Sequence, residues 1–176
     1  RRSGIIAMNL HKGDRLNWVK TSTGSDEIII ATSGGKAIRF KETQARPMGR
    51  GASGVRAIRL KGSDTVSSLD IIPKGTKDAK FLVLGVNGYG KLTPIGQYRL
   101  QGRGGSGIKT AQVTKKTGAI VSAHLVTNEE ELLVLSSKGQ IIRSKLSEIR
   151  VAGRATQGVK IMTLDSGDSV SSATCL

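Results

Sequence analysis

Residues 101–107 read Gln-Gly-Arg-Gly-Gly-Ser-Gly, a glycine-dense turn with one arginine near its centre. β-rich runs flank this turn at residues 91–100 and 108–113. Related turns occur at residues 50–54 and 154–158, and the arginines of the three turns are spaced 53 and 51 residues apart. A repeat of about 50 residues therefore organises the chain, a period typical of stacked four-stranded β units.

Each repeat contains short β-rich runs and no helical periodicity. Residues 36–41 alternate between apolar and basic side chains, which is the pattern of a half-buried strand. Gly34-Gly35 and Asn87-Gly88 are dipeptides that favour tight hairpins. Further strands are predicted at these positions: residues 4–10, 15–22, 54–60, 108–113 and 158–164.

The pattern predicts an all-β fold, a β-propeller or β-pinwheel made of four-stranded blades. A leading half blade at residues 1–26 would be followed by three full units at residues 27–79, 80–130 and 131–176. Three and a half blades are too few for a complete propeller. We therefore expect an open arc or a partial ring, which could close by pairing its first strands with its last unit.

The composition excludes several kinds of site. One cysteine, Cys175, permits no disulfide within the chain and no cysteine-rich metal site. His11 and His124 lie far apart, so we expect no metal and no cofactor. Residues 102–107 spell a dinucleotide motif, but a strand-like run follows instead of the required helix. No membrane span or signal peptide is apparent.

The net charge of +15 is concentrated in three windows. Residues 35–61, 88–116 and 138–160 together carry a net charge of +18, and the remainder carries −3. Acidic residues, including residues 129–131, are expected at the opposite turns. Stacked repeats would align the basic windows into one band, which would attract nucleic acid. The predicted band comprises Arg39, Lys41, Arg46, Arg50, Arg56, Lys91, Arg99, Arg103, Lys109, Arg143, Lys145, Arg150, Arg154 and Lys160.

The scarcity of aromatic residues favours double-stranded DNA over single strands. Aromatic residues make up only 3% of the chain, whereas single-strand binders stack bases on exposed rings. Tyr89 and Tyr98 are interpreted as packing residues and not as nucleophiles. A protein-interaction propeller with a basic face, or a merely solvated basic surface, remains an alternative.

Five stretches of the chain resemble a known family. They are residues 35–42 (GKAIRFKE), 46–50 (RPMGR), 54–60 (GVRAIRL), 87–91 (NGYGK) and 149–159. They resemble the C-terminal β-pinwheel of bacterial DNA gyrase A, and its later blades most, with the topoisomerase IV counterpart as an alternative. The resemblance covers essentially the whole chain and keeps the order of the units.

The resemblance implies a non-catalytic module that wraps double-stranded DNA around a basic rim and so supports negative supercoiling. It implies the remainder of gyrase A, together with gyrase B, as partners, a monomeric fragment, and a bacterial cytoplasmic, nucleoid-associated location. The family's signature loop, Gln-Arg-Arg-Gly-Gly-Lys-Gly, lies in the first blade. Residues 101–107 differ from that loop at Gly102 and Ser106, so the true signature loop is expected outside this chain.

Overall fold

The computed structural model of the chain describes residues 4–176, and this part of the chain forms eleven β-strands and no α-helix. A single-turn 3₁₀ segment follows the second strand of each unit; the three segments are Glu42–Gln44, Ile95–Gln97 and Leu146–Glu148. The strands are β1 (Glu27–Thr32), β2 (Lys36–Lys41), β3 (Val66–Ile72), β4 (Lys80–Gly85), β5 (Tyr89–Pro94), β6 (Ile108–Lys109), β7 (Ile120–Val126), β8 (Glu131–Ser136), β9 (Ile141–Lys145), β10 (Val159–Lys160) and β11 (Val170–Cys175).

The strands form three antiparallel sheets, and neighbouring units exchange strands. The sheet orders are β3-β1-β2-β6, β10-β5-β4-β7 and β11-β8-β9. The outermost strand of the first sheet, β6, comes from the second unit, and that of the second sheet, β10, comes from the third unit. The inner strands β3, β7 and β11 pack beside one another, so the sheets are arranged around a common side. The predicted all-β propeller-like fold is confirmed, and no strand pairing within residues 4–176 closes a ring.

The prediction of four strands in every sheet is wrong for the third sheet, which has three. Each fourth strand is donated by the following unit, and no later segment of residues 4–176 pairs with β9. The missing fourth strand leaves β9 uncovered: Ile141 of β9 is 62% exposed, whereas the equivalent Ala37 of β2 is fully covered.

The strands predicted at residues 4–10, 15–22 and 54–60 are not formed. A strand requires a neighbour that accepts and donates its main-chain hydrogen bonds. The described chain contains no first and second strand of a preceding unit against which these segments could pair. The donated strands β6 and β10 are two residues long, shorter than the predicted runs at 108–113 and 158–164.

Alternate side chains of the central strand β4 pack into two different hydrophobic cores, and for this reason the sheets stack. In β4, Phe81 and Val83 face the core shared with the first sheet, whereas Leu82 and Leu84 face the core shared with the third. Phe81 also meets Tyr98 edge to face, with 5.5 Å between the ring centroids. Because both faces are covered by neighbours, a central unit gains about 1.5–3 kcal/mol from each fully buried aliphatic side chain.

Glycine is required where a donated strand crosses a hairpin. Gly88 closes the β4–β5 hairpin with φ of 79°, and a Cβ there would overlap the main-chain oxygen of Met162. At the same place in the third unit, Gly139 has φ of 87° and no atom within 4 Å of a Cβ. The difference follows from the fourth strand, which covers the second hairpin and not the third.

Candidate nucleic-acid interface

The structure places most of the predicted basic band at the surface. Ten of its side chains are exposed: Lys41, Arg46, Arg50, Arg56, Arg99, Lys109, Arg143, Lys145, Arg150 and Lys160. Arg39, Arg103 and Arg154 are half-buried, and Lys91 is buried. The fourteen residues therefore fall into groups with different contacts.

Arg46, Arg99 and Arg150 occupy one equivalent position in the three units. Each lies two residues after the 3₁₀ turn that follows the second strand. The residue before each arginine is held by a main-chain hydrogen bond back to the start of the turn, as Tyr98 is to Ile95 at 3.0 Å. Within the described chain, none of the three guanidinium groups makes a hydrogen bond or an ion pair. Their charges are therefore free to meet an external anion.

The outer strands add a second repeated position. Lys109 of β6 lies opposite Lys36 of β2, and Lys160 of β10 lies opposite Tyr89 of β5. The ammonium groups of Lys160 and Lys116 lie 5.6 Å and 5.1 Å from the centroid of the Tyr89 ring. Lys109 and Lys160 are at the sheet edge farthest from the inner strands, where a long ligand could contact successive units.

Arg39 and Arg143 each form an ion pair with a carboxylate on the adjacent strand. Arg39 of β2 pairs with Glu27 of β1, and Arg143 of β9 pairs with Glu131 of β8. The Arg39 guanidinium also donates to the main-chain oxygens of Ile95 and Tyr98, each at 3.0 Å, in the next unit. Their charges are compensated, and Arg39 joins two units.

Lys145 lies beside an acidic cleft. Asp78, Glu129, Glu130 and Glu131 line this cleft of about 450 Å³ together with Lys145. The expectation that residues 129–131 gather away from the basic residues is therefore wrong here, because the connection into β8 and the end of β9 meet at the same end of the sheet. The acidic groups weaken the attraction of Lys145 for an anion.

Arg103 and Arg154 connect consecutive units at equivalent places. Arg103 donates through Nε to the main-chain oxygen of Gln44 at 2.8 Å and through Nη1 to that of Arg56 at 2.6 Å. Arg154 donates through Nη1 to the main-chain oxygen of Lys109 at 2.8 Å. Arg50, the loop arginine at the equivalent position of the first unit, is exposed and has no such partner in residues 4–176.

Lys91 lies inside the molecule, where it cannot reach a phosphate. It is 1% exposed, and its ammonium donates to the main-chain oxygens of Gly153 and Arg154, at 2.5 and 2.7 Å, and to Oγ1 of Thr156 at 3.0 Å. Its place in the repeat matches Ile38, so the side chain points into the joint between units. Burial, followed by repulsion from Arg154, lowers the pKa of Lys91 to about 8. Lys91 is therefore not part of the candidate interface.

The contacts between units were missed by the sequence analysis. Gln44 and Gln97, 53 residues apart, each offer Oε1 to the main-chain N–H of a loop arginine, at 2.6 Å for Arg103 and 3.4 Å for Arg154. The recurrence of these glutamines with the repeat was the available signal. Polar residues between strands are common, and only the folded structure shows which unit they meet.

Tyr98 and Asp64 have structural roles. The hydroxyl of Tyr98 is buried against Thr110 at 2.6 Å, and burial raises its pKa, which is unfavourable for a nucleophile. Asp64 accepts hydrogen bonds from Thr32, Ser33 and Gly34. Burial alone would raise the pKa of Asp64, but these hydrogen bonds lower it overall. Asp64 therefore stabilises the turn between β1 and β2.

The described residues offer no alternative metal chemistry or membrane segment. No group of three or more His, Cys, Asp or Glu side chains in residues 4–176 is placed to hold a metal ion. No helix within the same residues is long and apolar enough to span a bilayer.

Comparison with protein families gives a match along nearly the whole chain. The model described as the DNA gyrase C-terminal domain, beta-propeller, matches residues 1–22, 26–73, 79–127 and 130–176. DNA gyrase A of Staphylococcus epidermidis is 45% identical over 170 residues, which are 97% of this chain and 19% of that protein. DNA gyrase A of Deinococcus deserti is 43% identical over 173 residues, which are 97% of this chain and 21% of that protein. The chain thus spans about a fifth of the length of these relatives.

Solved structures show the same fold. The structure of a DNA gyrase A C-terminal domain superposes with a TM-score of 0.89 at 24% identity, covering 99% of this chain and 58% of that one. The C-terminal domain of a DNA topoisomerase IV superposes with a TM-score of 0.90 at 22% identity, covering 97% of this chain and 52% of that one. At these identities the superpositions establish the architecture alone.

Proposed function

The chain belongs to the family of DNA gyrase C-terminal β-propeller domains, and from this premise we propose that it binds double-stranded DNA and bends it along the basic outer side of its blades. It would serve as a non-catalytic wrapping module of a gyrase A protein and support the introduction of negative supercoils. In this proposal the partners are duplex DNA, the rest of gyrase A, and gyrase B, in the bacterial cytoplasm.

The observation that carries the proposal is the recurrence of Arg46, Arg99 and Arg150 at one exposed position. A ligand that contacts the same charge in each unit must itself repeat its negative charge regularly, as a duplex backbone does. Lys109 and Lys160, on the outermost strands, supply a parallel row. Arg56 takes the position of Lys109 in the first unit, Arg50 lies in the loop before it, and all of these side chains are exposed.

The contacts should be made to phosphates and not to base edges. Equivalent side chains in successive units meet different base pairs, so they cannot specify a sequence. Bending a duplex of 20–30 bp through 40–90° costs on the order of 1–6 kcal/mol, so several units have to act on one DNA molecule. This explains why the arginines are repeated along the array instead of clustered in one pocket.

Fluorescence anisotropy with a labelled 40-bp duplex at a series of salt concentrations tests binding. With six or more phosphate contacts, affinity should fall by roughly a thousandfold or more between 50 and 200 mM salt, equally for unrelated DNA sequences. Relaxation of circular DNA by a type I topoisomerase in the presence of the protein tests wrapping, because wrapped DNA retains a shifted linking number. Salt-insensitive or absent binding would refute the proposal.

The alternative, a basic face that meets an acidic protein, makes a different prediction in the same assays. An acidic polypeptide of matched charge density, such as polyglutamate, would then compete at least as well as unlabelled duplex. A wrapping module should prefer the duplex, since polyglutamate does not present the spacing of a helical phosphate backbone. DNA cleavage by the purified protein would contradict the non-catalytic assignment.

A further inference from the structure

Two joints of the same design connect the three units. In the first, Arg103 of the second unit contacts Gln44 and Arg56 of the first. In the second, Arg154 of the third unit contacts Gln97 and Lys109 of the second. The two sets are related by the same shifts of 53 and 51 residues that relate the units.

The main chain repeats the same connection beside each arginine. The N–H of Arg59 donates to the oxygen of Gly105 at 2.8 Å, and at the equivalent place the N–H of Gln112 donates to the oxygen of Thr156 at 3.0 Å. Each glycine loop thus lies on the unit before it and leads directly into the strand donated to that unit. The arginine fixes the loop at the point where the exchanged strand starts.

Each loop arginine also bridges two basic elements of the preceding unit. Gln44 lies just before the segment that carries Arg46 and Arg50, and Arg56 lies at its far end. Lys109 follows the loop of Arg103 on the donated strand β6. The angle between these elements sets the spacing of free charges from one unit to the next, and hence the path that a bound duplex follows.

We propose that Arg103 and Arg154 are positioning residues that fix the angle between consecutive sheets, and thereby the curvature of bound DNA, without contacting phosphate. The proposal rests on the proposed DNA-binding function for its second half, whereas the joint itself is a property of the free protein. It divides the sequence-predicted band into residues that bind the backbone and residues that orient them.

The chain offers a matched pair for the test. Arg103 and Arg99 lie four residues apart in one unit and carry the same charge, but Arg103 is held by main-chain oxygens and Arg99 is free. Arg103→Gln should leave the salt slope of duplex binding unchanged and should reduce the bend, measured by energy transfer between dyes at the ends of a 40-bp duplex. Arg99→Gln should lower the salt slope by about one and leave the shape of the free protein unchanged.

Arg103→Lys separates the two roles more sharply. Lysine keeps the charge and would preserve a phosphate contact, but its single nitrogen cannot take the places of both Nε and Nη1, which donate to the oxygens of Gln44 and Arg56 from one planar group. We therefore expect Arg103→Lys to bend DNA as poorly as Arg103→Gln while the salt slope stays at the parent value. A parent-like bend with Arg103→Lys, or a slope lowered by about one with Arg103→Gln, would overturn the proposal.

The free protein provides a readout that does not depend on DNA. Small-angle X-ray scattering should show a changed distance distribution for Arg103→Gln and for Gln44→Ala, which removes the acceptor of the Arg103 main-chain N–H without altering charge. The distribution should be unchanged for Arg99→Gln. Unchanged scattering for both joint variants would refute the positioning role. If the parent chain bends no DNA, the proposed function fails, and scattering still decides the joint. Should Arg103→Gln fail to fold, Arg103→Lys and Arg154→Gln carry the same comparison.

Discussion

The ammonium of Lys91 donates a hydrogen bond of 2.7 Å to the main-chain oxygen of Arg154, a residue of the next unit whose own side chain is positively charged. The joint between the second and third units therefore holds a buried cation with no carboxylate among its hydrogen-bond partners. The corresponding place in the first joint is taken by Ile38, which is fully covered. The two joints share a design, but at this place the second holds a buried lysine and the first an apolar side chain.

We expect stability to rise with pH between about 8 and 10.5 because of Lys91. Its pKa is about 8 in the folded protein against the ordinary 10.5, so the unfolded chain binds more protons in this window. Below pH 8 both states are protonated and this contribution stays at its minimum. The free energy of unfolding of the parent minus that of Lys91→Met should increase with a slope approaching about 1.4 kcal/mol per pH unit.

Urea denaturation at pH 7, 8, 9 and 10 measures that difference, in which the other titrating groups cancel. Lys41→Met, at an exposed site, is the control and should give a pH profile parallel to that of the parent. Parallel profiles for the parent and Lys91→Met would contradict the prediction.

Arg39→Met should destabilise the protein far more than Arg143→Met. Both arginines pair with a glutamate twelve residues earlier, but the side chain of Arg39 is 15% exposed and that of Arg143 is 66% exposed. Arg39 also donates to two main-chain oxygens of the next unit. We expect a cost of about 2–4 kcal/mol for Arg39→Met and at most about 1 kcal/mol for Arg143→Met, measured by chemical denaturation. Equal costs would show that the contacts to the next unit contribute nothing.

Gly88→Ala and Gly139→Ala should differ although both glycines have the same left-handed conformation. The conformation alone costs about 1–2 kcal/mol for a residue with a side chain. At Gly88 the added carbon would also overlap the main chain of Met162, so we expect a further cost of about 1–3 kcal/mol. The difference in melting temperature between the two variants measures the closeness of the donated strand, and similar values would mean that β10 is easily displaced.

Replacing Arg46, Arg99 and Arg150 together by glutamine should weaken duplex binding without unfolding the protein. Three lost phosphate contacts lower the slope of log affinity against log salt by about three, whereas the melting temperature should stay near that of the parent. The charge-matched control is the triple variant Lys12→Gln, Lys74→Gln, Lys77→Gln, whose lysines lie outside the three basic windows. An equal loss of slope in the control would show that overall charge and not position governs binding.

The repeat, the strand pattern and the hairpins were predictable because each is written in local sequence. The Gly34-Gly35 and Asn87-Gly88 dipeptides select tight turns, and alternation in residues 36–41 selects a strand. Residues 4–10 and 54–60 have equally good strand patterns and form none. Local preference is not sufficient for them, because a strand is completed by the hydrogen bonds of its neighbour.

The sequence by itself determined the all-β architecture, the period of about 50 residues and the concentration of positive charge in equivalent segments, since all three follow from periodicity and composition. Only the tertiary structure decided which charges are free. Arg99 and Arg103 are indistinguishable by type and window, yet Arg103 is engaged with the preceding unit and Arg99 is not. Strand exchange brings residues about 50 positions apart into contact, and whether a cation is buried, paired or exposed depends on those distant partners.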